Sequence, residues 1–466
     1  MNNSNMGKYK YLFTNVIAFL CGNIGTKLIS FFMVPLYTNI LLPAEYGEID
    51  LILSVAGVVS PFIACGIHEG IMRFSLDKGA DRGLVLSIGM RVFGISTSAF
   101  LALALLLQFA PISSDNVWFI YGYVVLNELM TICLCYIRGC DNVKLYSFLG
   151  FLAALITALL NILFLLVFGM GLYGYKLTML LSPICTIVIA VATGKIVQNF
   201  DARKWDTALA KEMLGYSLLL IPNAFLWWCI SASDRFFVSY ICGKAANGIY
   251  AISYKIPSLL NVASSIFMQG WQMSAIRENE NGADSRFSEQ IYRLLTFFIG
   301  MITLLLLMLN KPILNKYVAP EYQGAWIYSP PLIVAFFIGA LGTFWGSFYI
   351  AAKKMRAYLL SALAGAVINV ALNCVLIPQY GALGAAIATM ISYVAVLLAR
   401  GLGISGQVGI PFANKEVVSS TICVFAGVAL AYLPGPYSTI AIVVTLVAFV
   451  SLNTSRLKEL LRMVRG

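Results

Sequence analysis

An all-α polytopic membrane protein is predicted by three observations: scarcity of charge, recurrence of apolar runs, and basic residues gathered between those runs. Only 11% of the 466 residues are Asp, Glu, Lys or Arg, against 60% hydrophobic. An ordinary soluble domain carries roughly 25% charged residues, so this chain could not cover a water-facing surface. Mean hydropathy is +0.86, and apolar stretches follow one another from Tyr11 to Asn453 with no long polar block. A soluble enzyme, a nucleic-acid-binding domain and a secreted disulfide scaffold are excluded.

A bilayer-crossing helix needs about 20 mostly apolar residues. With breaks at Gly, Pro and charge clusters, about fourteen segments result. They begin near Tyr11, Gly47, Leu84, Val117, Tyr146, Leu172, Met213, Gly248, Ser288, Ala325, Ala357, Ala382, Val417 and Tyr437. The first, Tyr11 to Leu36, is too long for a signal-peptide core and lacks a small-residue cleavage site, so it reads as a retained helix. Pro222 and Pro257 are expected to kink the seventh and eighth segments without breaking them.

Loop charge sets the orientation. Twenty-three of the 31 Lys and Arg residues fall at the amino terminus, in the even-numbered loops and in the carboxyl tail. They include Lys8, Lys10, Arg73, Lys78, Arg277, Lys353, Arg400, Arg456, Lys458, Arg462 and Arg465. The odd loops hold only Lys244, Lys311 and Lys316. The positive-inside rule then places both termini in the cytoplasm. Most of the formal charge of +11 is therefore a topology signal, not a binding patch.

Several chemistries find no support. The ten cysteines show no C-x-x-C pair and read as small hydrophobes. His68 is the only histidine, with no second His or nearby Cys to share a metal; an interfacial polar residue is expected there, and no metal site. No loop is large enough for a separate domain. No G-x-x-x-x-G-K-[ST] phosphate loop or D-x-D pair occurs; Glu48-x-Asp50 reads as an acidic helix start.

The chain also resembles itself at an interval of about 210 residues. Lys144-Leu-Tyr146, Asn161 and Gly171-Leu-Tyr-Gly174 correspond to Arg356-Ala-Tyr358, Asn373 and Gly381-Ala-Leu-Gly384, with two extra residues in the first copy. Tyr46-Gly47-Glu-Ile echoes Asn247-Gly248-Ile-Tyr. A six-helix offset keeps orientation, so these are parallel repeats, a recognised transporter plan. The expected organisation is an N-lobe of helices 1–6 (residues 1–205), a C-lobe of helices 7–12 (206–405), and helices 13–14 with a basic cytoplasmic tail (406–466).

Three motif groups now stand in order along nearly the whole chain. They are Pro35-Leu-Tyr-Thr-Asn-Ile-Leu-Leu-Pro-Ala-Glu-Tyr-Gly47; Ser233-Asp234-Arg235 with Gly248-Ile-Tyr-Ala-Ile-Ser-Tyr-Lys255; and Ile368-Asn369, Asn373, Leu376-Ile-Pro378, Tyr380-Gly381 and Gly384-Ala-Ala-Ile-Ala-Thr389. The series resembles the bacterial polysaccharide flippases, the O-antigen and capsule repeat-unit transporters of the multidrug/oligosaccharidyl-lipid/polysaccharide exporter superfamily. The resemblance implies a MATE-like fold and no enzymatic activity. It implies a flippase in the bacterial cytoplasmic membrane that moves undecaprenyl-pyrophosphate-linked oligosaccharide to the outer leaflet for lipopolysaccharide or capsule. Membrane lipid is then a partner, a polysaccharide polymerase complex stays open as one, and nucleic acid is not expected. No cofactor is expected; coupling stays open among H+, Na+ and the membrane potential.

Ionisable groups inside spans are costly and are functional candidates by default. Lys27, Arg91, Lys176, Arg235 and Lys255 stand against Glu128 and Asp234, a net cationic interior. At 1.5 Å per residue Lys27 lies about 24 Å into the first segment. Arg and Lys can replace the hydration of a pyrophosphate with charge-assisted hydrogen bonds, so Lys27, Arg91, Arg235 and Lys255 are candidates to bind substrate in a cationic cavity. Snorkelling to an interface is the alternative, chiefly for Lys176. Asp234 is read as a gate residue paired with a cation on another helix, or as a proton site. Glu128 is a proton-coupling candidate or a polar contact to a neighbouring helix, while Arg73 and Arg277 guard inner ends. Asn15, Asn23, Asn127, Asn161, Asn369 and Asn373 could bond sugar hydroxyls or hold helices together. Aromatic residues of the seventh helix and Trp271 suit sugar stacking or a lipid-facing belt.

A multidrug cation exporter would need acidic membrane sites, unlike this interior. A peptidoglycan-precursor lipid flippase shares the pyrophosphate and is a closer rival. A membrane polysaccharide polymerase would need a large outer loop, and a non-transporting scaffold would leave the buried cations without a purpose.

Overall fold

The computed structural model describes residues 24–77, 79–107, 116–281, 285–352 and 354–454. Expectations on Lys8, Lys10, Asn15, Cys21, Asn23, Lys78, Lys353, Arg456, Lys458, Arg462, Arg465 and the first segment before residue 24 lie outside them, as does the Arg277 side chain. Every regular element among the described residues is helical. In order they are α1 (residues 24–32), α2 (Val34–Ile40), α3 (Pro43–Ile63), α4 (Ile67–Ser75), α5 (Arg82–Leu107), α6 (Val117–Gly139), α7 (Val143–Asn161), α8 (Gly171–Thr193) and α9 (Ile196–Asn199). The series continues with α10 (Thr207–Cys242), α11 (Lys244–Ser253), α12 (Lys255–Asn281), α13 (Ser285–Tyr317), α14 (Ala325–Ala351), α15 (Met355–Tyr380), α16 (Ala382–Val408), α17 (Lys415–Ala431) and α18 (Tyr437–Leu452). A π-helical turn, Ile162–Val167, follows α7.

Ten helices among the described residues are long and apolar enough to cross a membrane. The protein is thus an all-α, multi-pass membrane protein. Of the other four predicted segments, the first begins outside the described residues. The eighth is divided between α11 and α12, and α17 and α18 are short, at 17 and 16 residues.

The division of the eighth segment corrects the expectation of a mere kink. Pro257 has no N–H to offer the carbonyl four residues back and its ring crowds that carbonyl. That acceptor, Ser253, instead receives the Ser329 hydroxyl at 3.1 Å. The helix stops at Ser253 and restarts at Lys255.

The described residues form two compact units. The first holds the residues through Leu41 together with Ile49–Trp228; the second holds Leu42–Glu48 together with the residues from Cys229 onward. Lipid tails are as apolar as Leu, so helices in a membrane associate through close packing and interhelical hydrogen bonds rather than hydrophobic transfer. The first unit shows this where Gly139 admits Ser75 and the Met72 backbone, and where Gly70 admits Ser217. In the second unit Gly47 and Gly248, the repeat-related pair, pack on each other's helices. A methyl on Gly47 would strike the Lys244 carbonyl, and one on Gly248 the Pro43 carbonyl. Asn247 Nδ2 donates to the Gly47 carbonyl at 3.0 Å, and Lys244 pairs with Glu48 at 3.0 Å.

The segments that carry the other sequence echo share one local feature. Gly171 and Gly381 open their helices with φ of 52° and 57°, values that favour glycine. The first copy's two extra residues fall at the π turn, whose wider i→i+5 bonding accommodates additional residues, whereas α15 runs unbroken to Tyr380.

Two further expectations are corrected. Arg400 is no loop residue: it sits inside α16, 1% exposed, donating to Ser361 Oγ at 3.0 Å and the Gly342 carbonyl at 3.1 Å. Its guanidinium lies 4.2 Å from the Tyr358 ring centroid, a contact that offsets burial of charge. Trp271 belongs neither to a lipid-facing belt nor to a sugar platform. It is 3% exposed, donates to Ser347 Oγ at 2.9 Å and packs 4.9 Å from Phe344 in the second unit's core.

Candidate functional site

A cavity of about 710 Å³ lies within the first unit, in the size range of small-molecule sites. Six helices wall it. α1 contributes Thr26, Lys27 and Ser30; α2 contributes Tyr37; α6 contributes Tyr123 and Asn127; α7 contributes Gly150, Ala153, Ala154 and Thr157; α8 contributes Tyr175 and Ser182; and α3 adds Leu53. The space exists because α7 presents small residues at helical spacing. Gly150 shows the consequence, since a Cβ there would meet nothing within 4 Å. Gly25 sets the close approach of α1, where an added methyl would press on the Phe151 ring of α7.

Lys27 is the one ionic side chain among the described residues lining this cavity, and it is exposed to it. The remaining polar lining consists of hydroxyls and an amide. Thr157 and Ser182 share a hydrogen bond of 2.5 Å across α7 and α8. Tyr37 stacks edge-on against Tyr175 at 5.0 Å and accepts from Asn161 Nδ2 at 3.1 Å. Asn161 thereby ties α7 to α2. Such a wall can hold one anionic group at the ammonium and present donors, acceptors and ring faces to a hydroxylated ligand.

Arg91 is not among the residues lining the cavity; its guanidinium lies 5.6 Å from the Trp205 ring. Lys176 donates to Asn116 Oδ1 at 3.1 Å and faces the Phe119 ring. Arg73 is exposed and pairs with Asp77 one turn on, an interaction that holds its guanidinium charged. Arg277 falls on α12.

Glu128 is 6% exposed and is held by two donors from other helices. Ser60 on α3 donates to one oxygen, and His68 Nδ1 on α4 meets the other at 3.1 Å. The sequence reading had Glu128 as a polar interhelical contact or a proton site, and had no partner for His68. Sixty residues separate the two, so no local spacing could have joined them.

The second unit gathers Asp234, Arg235 and Lys255 around a helix break. Asp234 is 0% exposed, and its Oδ2 accepts the phenols of Tyr250 at 2.6 Å and Tyr254 at 2.7 Å, with Thr389 at 3.4 Å. Phenols of α11 and the adjoining break thus stand where a cation was expected. Arg235 donates to the Ser231 carbonyl at 3.1 Å and stacks over Tyr254 at 4.8 Å, and Lys255 follows Tyr254 directly as the first residue of α12. Asn369 and Asn373 bond to each other at 2.9 Å, and Ser233 reaches Asn369 at 3.3 Å. A Tyr at i+16 and i+20 from an acidic residue was the only sequence trace of this cluster.

A bundle of apolar spans thus holds a hydroxyl-lined cavity with one ammonium among its described lining residues, together with buried carboxylates, and ionisable groups so placed are functional candidates. The polysaccharide biosynthesis protein family matches residues 12–271, more than half of the chain. The chain belongs to this family. No curated protein matches it by sequence. Among solved structures it is similar to the lipid II flippase MurJ in an inward closed conformation, with TM-score 0.65 at 14% identity over 96% of this chain and 100% of that one. An outward-facing multidrug resistance MATE family transporter gives 0.57 at 16% identity, over 85% and 96%. The bent form of the Vibrio cholerae MATE transporter VcmN gives 0.50 at 16%, over 87% and 99%. At these identities the likeness speaks for the fold.

Proposed function

We propose that this protein is a flippase that carries undecaprenyl-pyrophosphate-linked oligosaccharide repeat units from the cytoplasmic to the outer leaflet by alternating access. It would do so in the bacterial inner membrane with both termini cytoplasmic, feeding O-antigen or capsule synthesis. The architecture that goes with this reading is MATE-like: fourteen helices in two six-helix lobes, residues 1–205 and 206–405, followed by the pair within 406–466.

The observation that carries the proposal is the company Lys27 keeps. A single ammonium inside a membrane bundle, surrounded by hydroxyls, an amide and tyrosine rings, suits a ligand that is anionic at one point and rich in hydroxyls elsewhere. The polyprenyl tail needs no protein site, being soluble in the bilayer. A multidrug exporter would instead be expected to present a carboxylate to its cationic drug, and the described lining has none. Arg91, Arg235 and Lys255 are the further cations proposed to meet the pyrophosphate in turn, and Arg73 and Arg277 the residues proposed to guard the inner ends.

Replacing Lys27 by Ala tests this. Cells carrying K27A should lose surface polysaccharide at least tenfold and accumulate lipid-linked repeat units facing the cytoplasm, while membrane-inserted protein stays at the wild-type level. Normal surface polysaccharide would sink the proposal.

A second reading is favoured by the whole-chain likeness to a lipid II flippase: the cargo would be a peptidoglycan precursor, also a pyrophosphate-linked lipid. Complementation separates the two. Rescue of a strain depleted of its lipid II flippase supports the second reading, and restored O-antigen or capsule supports the first.

A further inference from the structure

Glu128 lies deep in the first unit with a histidine on one side and a serine on the other, and the histidine does not end the chain of contacts. His68 meets buried Glu128 with Nδ1 at 3.1 Å, and its Nε2 faces Glu69 at 3.9 Å. Side-chain exposure rises along this line, from 8% at Glu128 through 20% at His68 to 41% at Glu69. The two Glu128 oxygens meet the Ser60 hydroxyl and the imidazole Nδ1, so one ring nitrogen is engaged by the buried carboxyl group. That leaves Nε2 of the imidazole as the atom that can gain or lose a proton, and it faces the exposed acid.

The surroundings tie this atom to backbone geometry. Ser60 and His68 flank the junction of α3 and α4, where Cys65 and Gly66 adopt left-handed φ of 50° and 59° behind Pro61. His68 and Glu128 therefore clasp a broken helix to α6. Other titratable or charged groups facing the trio among the described residues are Cys135 and Arg138 of α6, with Tyr146 of α7 against Arg138 at 5.4 Å. From α5, Ser96 meets Cys65 at 3.3 Å.

We propose that His68 and Glu128 form a proton-binding site of this transporter, loaded and emptied at His68 Nε2 through Glu69. This rests on the flippase reading only for the identity of the cargo that the proton would drive. Loading converts a neutral imidazole beside a carboxylate into an imidazolium–carboxylate pair, so the buried site passes from net −1 to net zero. The proton comes from water on the acid side by way of the Glu69 carboxylate and leaves through the same carboxylate to water on the other side once access has alternated. The loaded pair grips α4 to α6 more strongly than the unloaded one, because an ionised donor makes the stronger hydrogen bond.

The single histidine makes the site directly observable. Full-length protein labelled with 13C-histidine in detergent gives one imidazole signal to follow against pH. Replacing Glu128 by Gln should lower the proton affinity of that imidazole about tenfold or more, the effect of removing an opposite charge within ~4–6 Å. Replacing Glu69 by Gln should slow exchange with water, and E128D should restore most of the affinity. An affinity unchanged in E128Q, with the protein folded as judged by its melting curve, overturns the proposal.

The second readout uses vesicles holding the protein and a fluorescent undecaprenyl-pyrophosphate-linked N-acetylhexosamine. The ratio of flipping rate with an outside-acid gradient to that without one should fall from severalfold to near one in H68Q and E128Q. A ratio that persists in both variants overturns the proposal. A wild type that flips no lipid would count against the cargo assignment, and the histidine titration would still decide the proton site.

Discussion

Lys27 in the first compact unit and Asp234 in the second stand in opposite surroundings. In the first, Lys27 faces about 710 Å³ of open space, and the neighbouring helix is cut back to Gly and Ala to make it. In the second, Asp234 is sealed from solvent, with two phenols and a threonine hydroxyl packed around it. One group faces open space and the other is packed among hydroxyls that meet its Oδ2. Substitutions should therefore cost function in the first unit and stability in the second.

The sharpest contrast comes from one substitution made at two glycines. Gly248→Ala drives a methyl into the Pro43 backbone carbonyl, and backbone cannot yield as a flexible side chain can. Overpacking costs typically 1–3 kcal/mol and more where nothing yields, so folded protein should fall severalfold in fluorescence-detected gel filtration. Gly150→Ala enters empty space within a helix and gains helix propensity worth up to about 1 kcal/mol. Its melting temperature should hold or rise. If both variants behave alike, the contrast between the units is wrong.

Asp234→Asn is next. The amide can accept through one oxygen but turns donors toward hydroxyls that were donating. A cost of about 1–3 kcal/mol is expected, read as a lower melting temperature in detergent. K27A should change stability by no more than about 0.5 kcal/mol, as for a surface substitution, while removing transport. A large loss of stability in K27A would mean that Lys27 is structural.

The smallest effect lies outside the spans. The Lys204 ammonium, 2.8 Å from Asp81, holds that carboxyl below its usual range, aided by backbone N–H groups at the start of α5. A depressed carboxyl contributes stability above its unfolded value of about 3.9 and loses it as pH falls through the folded value. Both groups are exposed, so the contribution is small. Asp81→Asn should slightly lower the melting temperature at pH 7 and lower it less as pH falls through the folded carboxyl's range, and an equal drop at every pH would rule out the ion pair as the cause.

Spans were readable because hydropathy is local: ten of the predicted segments appear as long apolar helices, with starts close to those expected. The eighth misled because Pro257 reads as a kink in one dimension. Whether a proline bends or ends a helix depends on who satisfies the freed carbonyl, and here Ser329, 76 residues on, does so. Arg400 misled similarly: a lone basic residue near a predicted helix end looks like a loop charge until two neighbouring helices close around it. The longer spacing between Asn161 and Gly171 was legible in the sequence, although the π turn that lies within it was not.

By itself, then, the sequence determined that this chain crosses a membrane, where its spans run, and which few ions lie within them. These follow from the composition of short windows and the cost of placing charge in hydrocarbon. Tertiary structure alone decided which ion meets which partner. Helix packing brought Glu128 to His68, gave Asp234 two tyrosines, and left Lys27 facing a cavity. A partner is chosen by how helices are rotated and stacked on one another, and that depends on all their small residues together rather than on the spacing within any one of them.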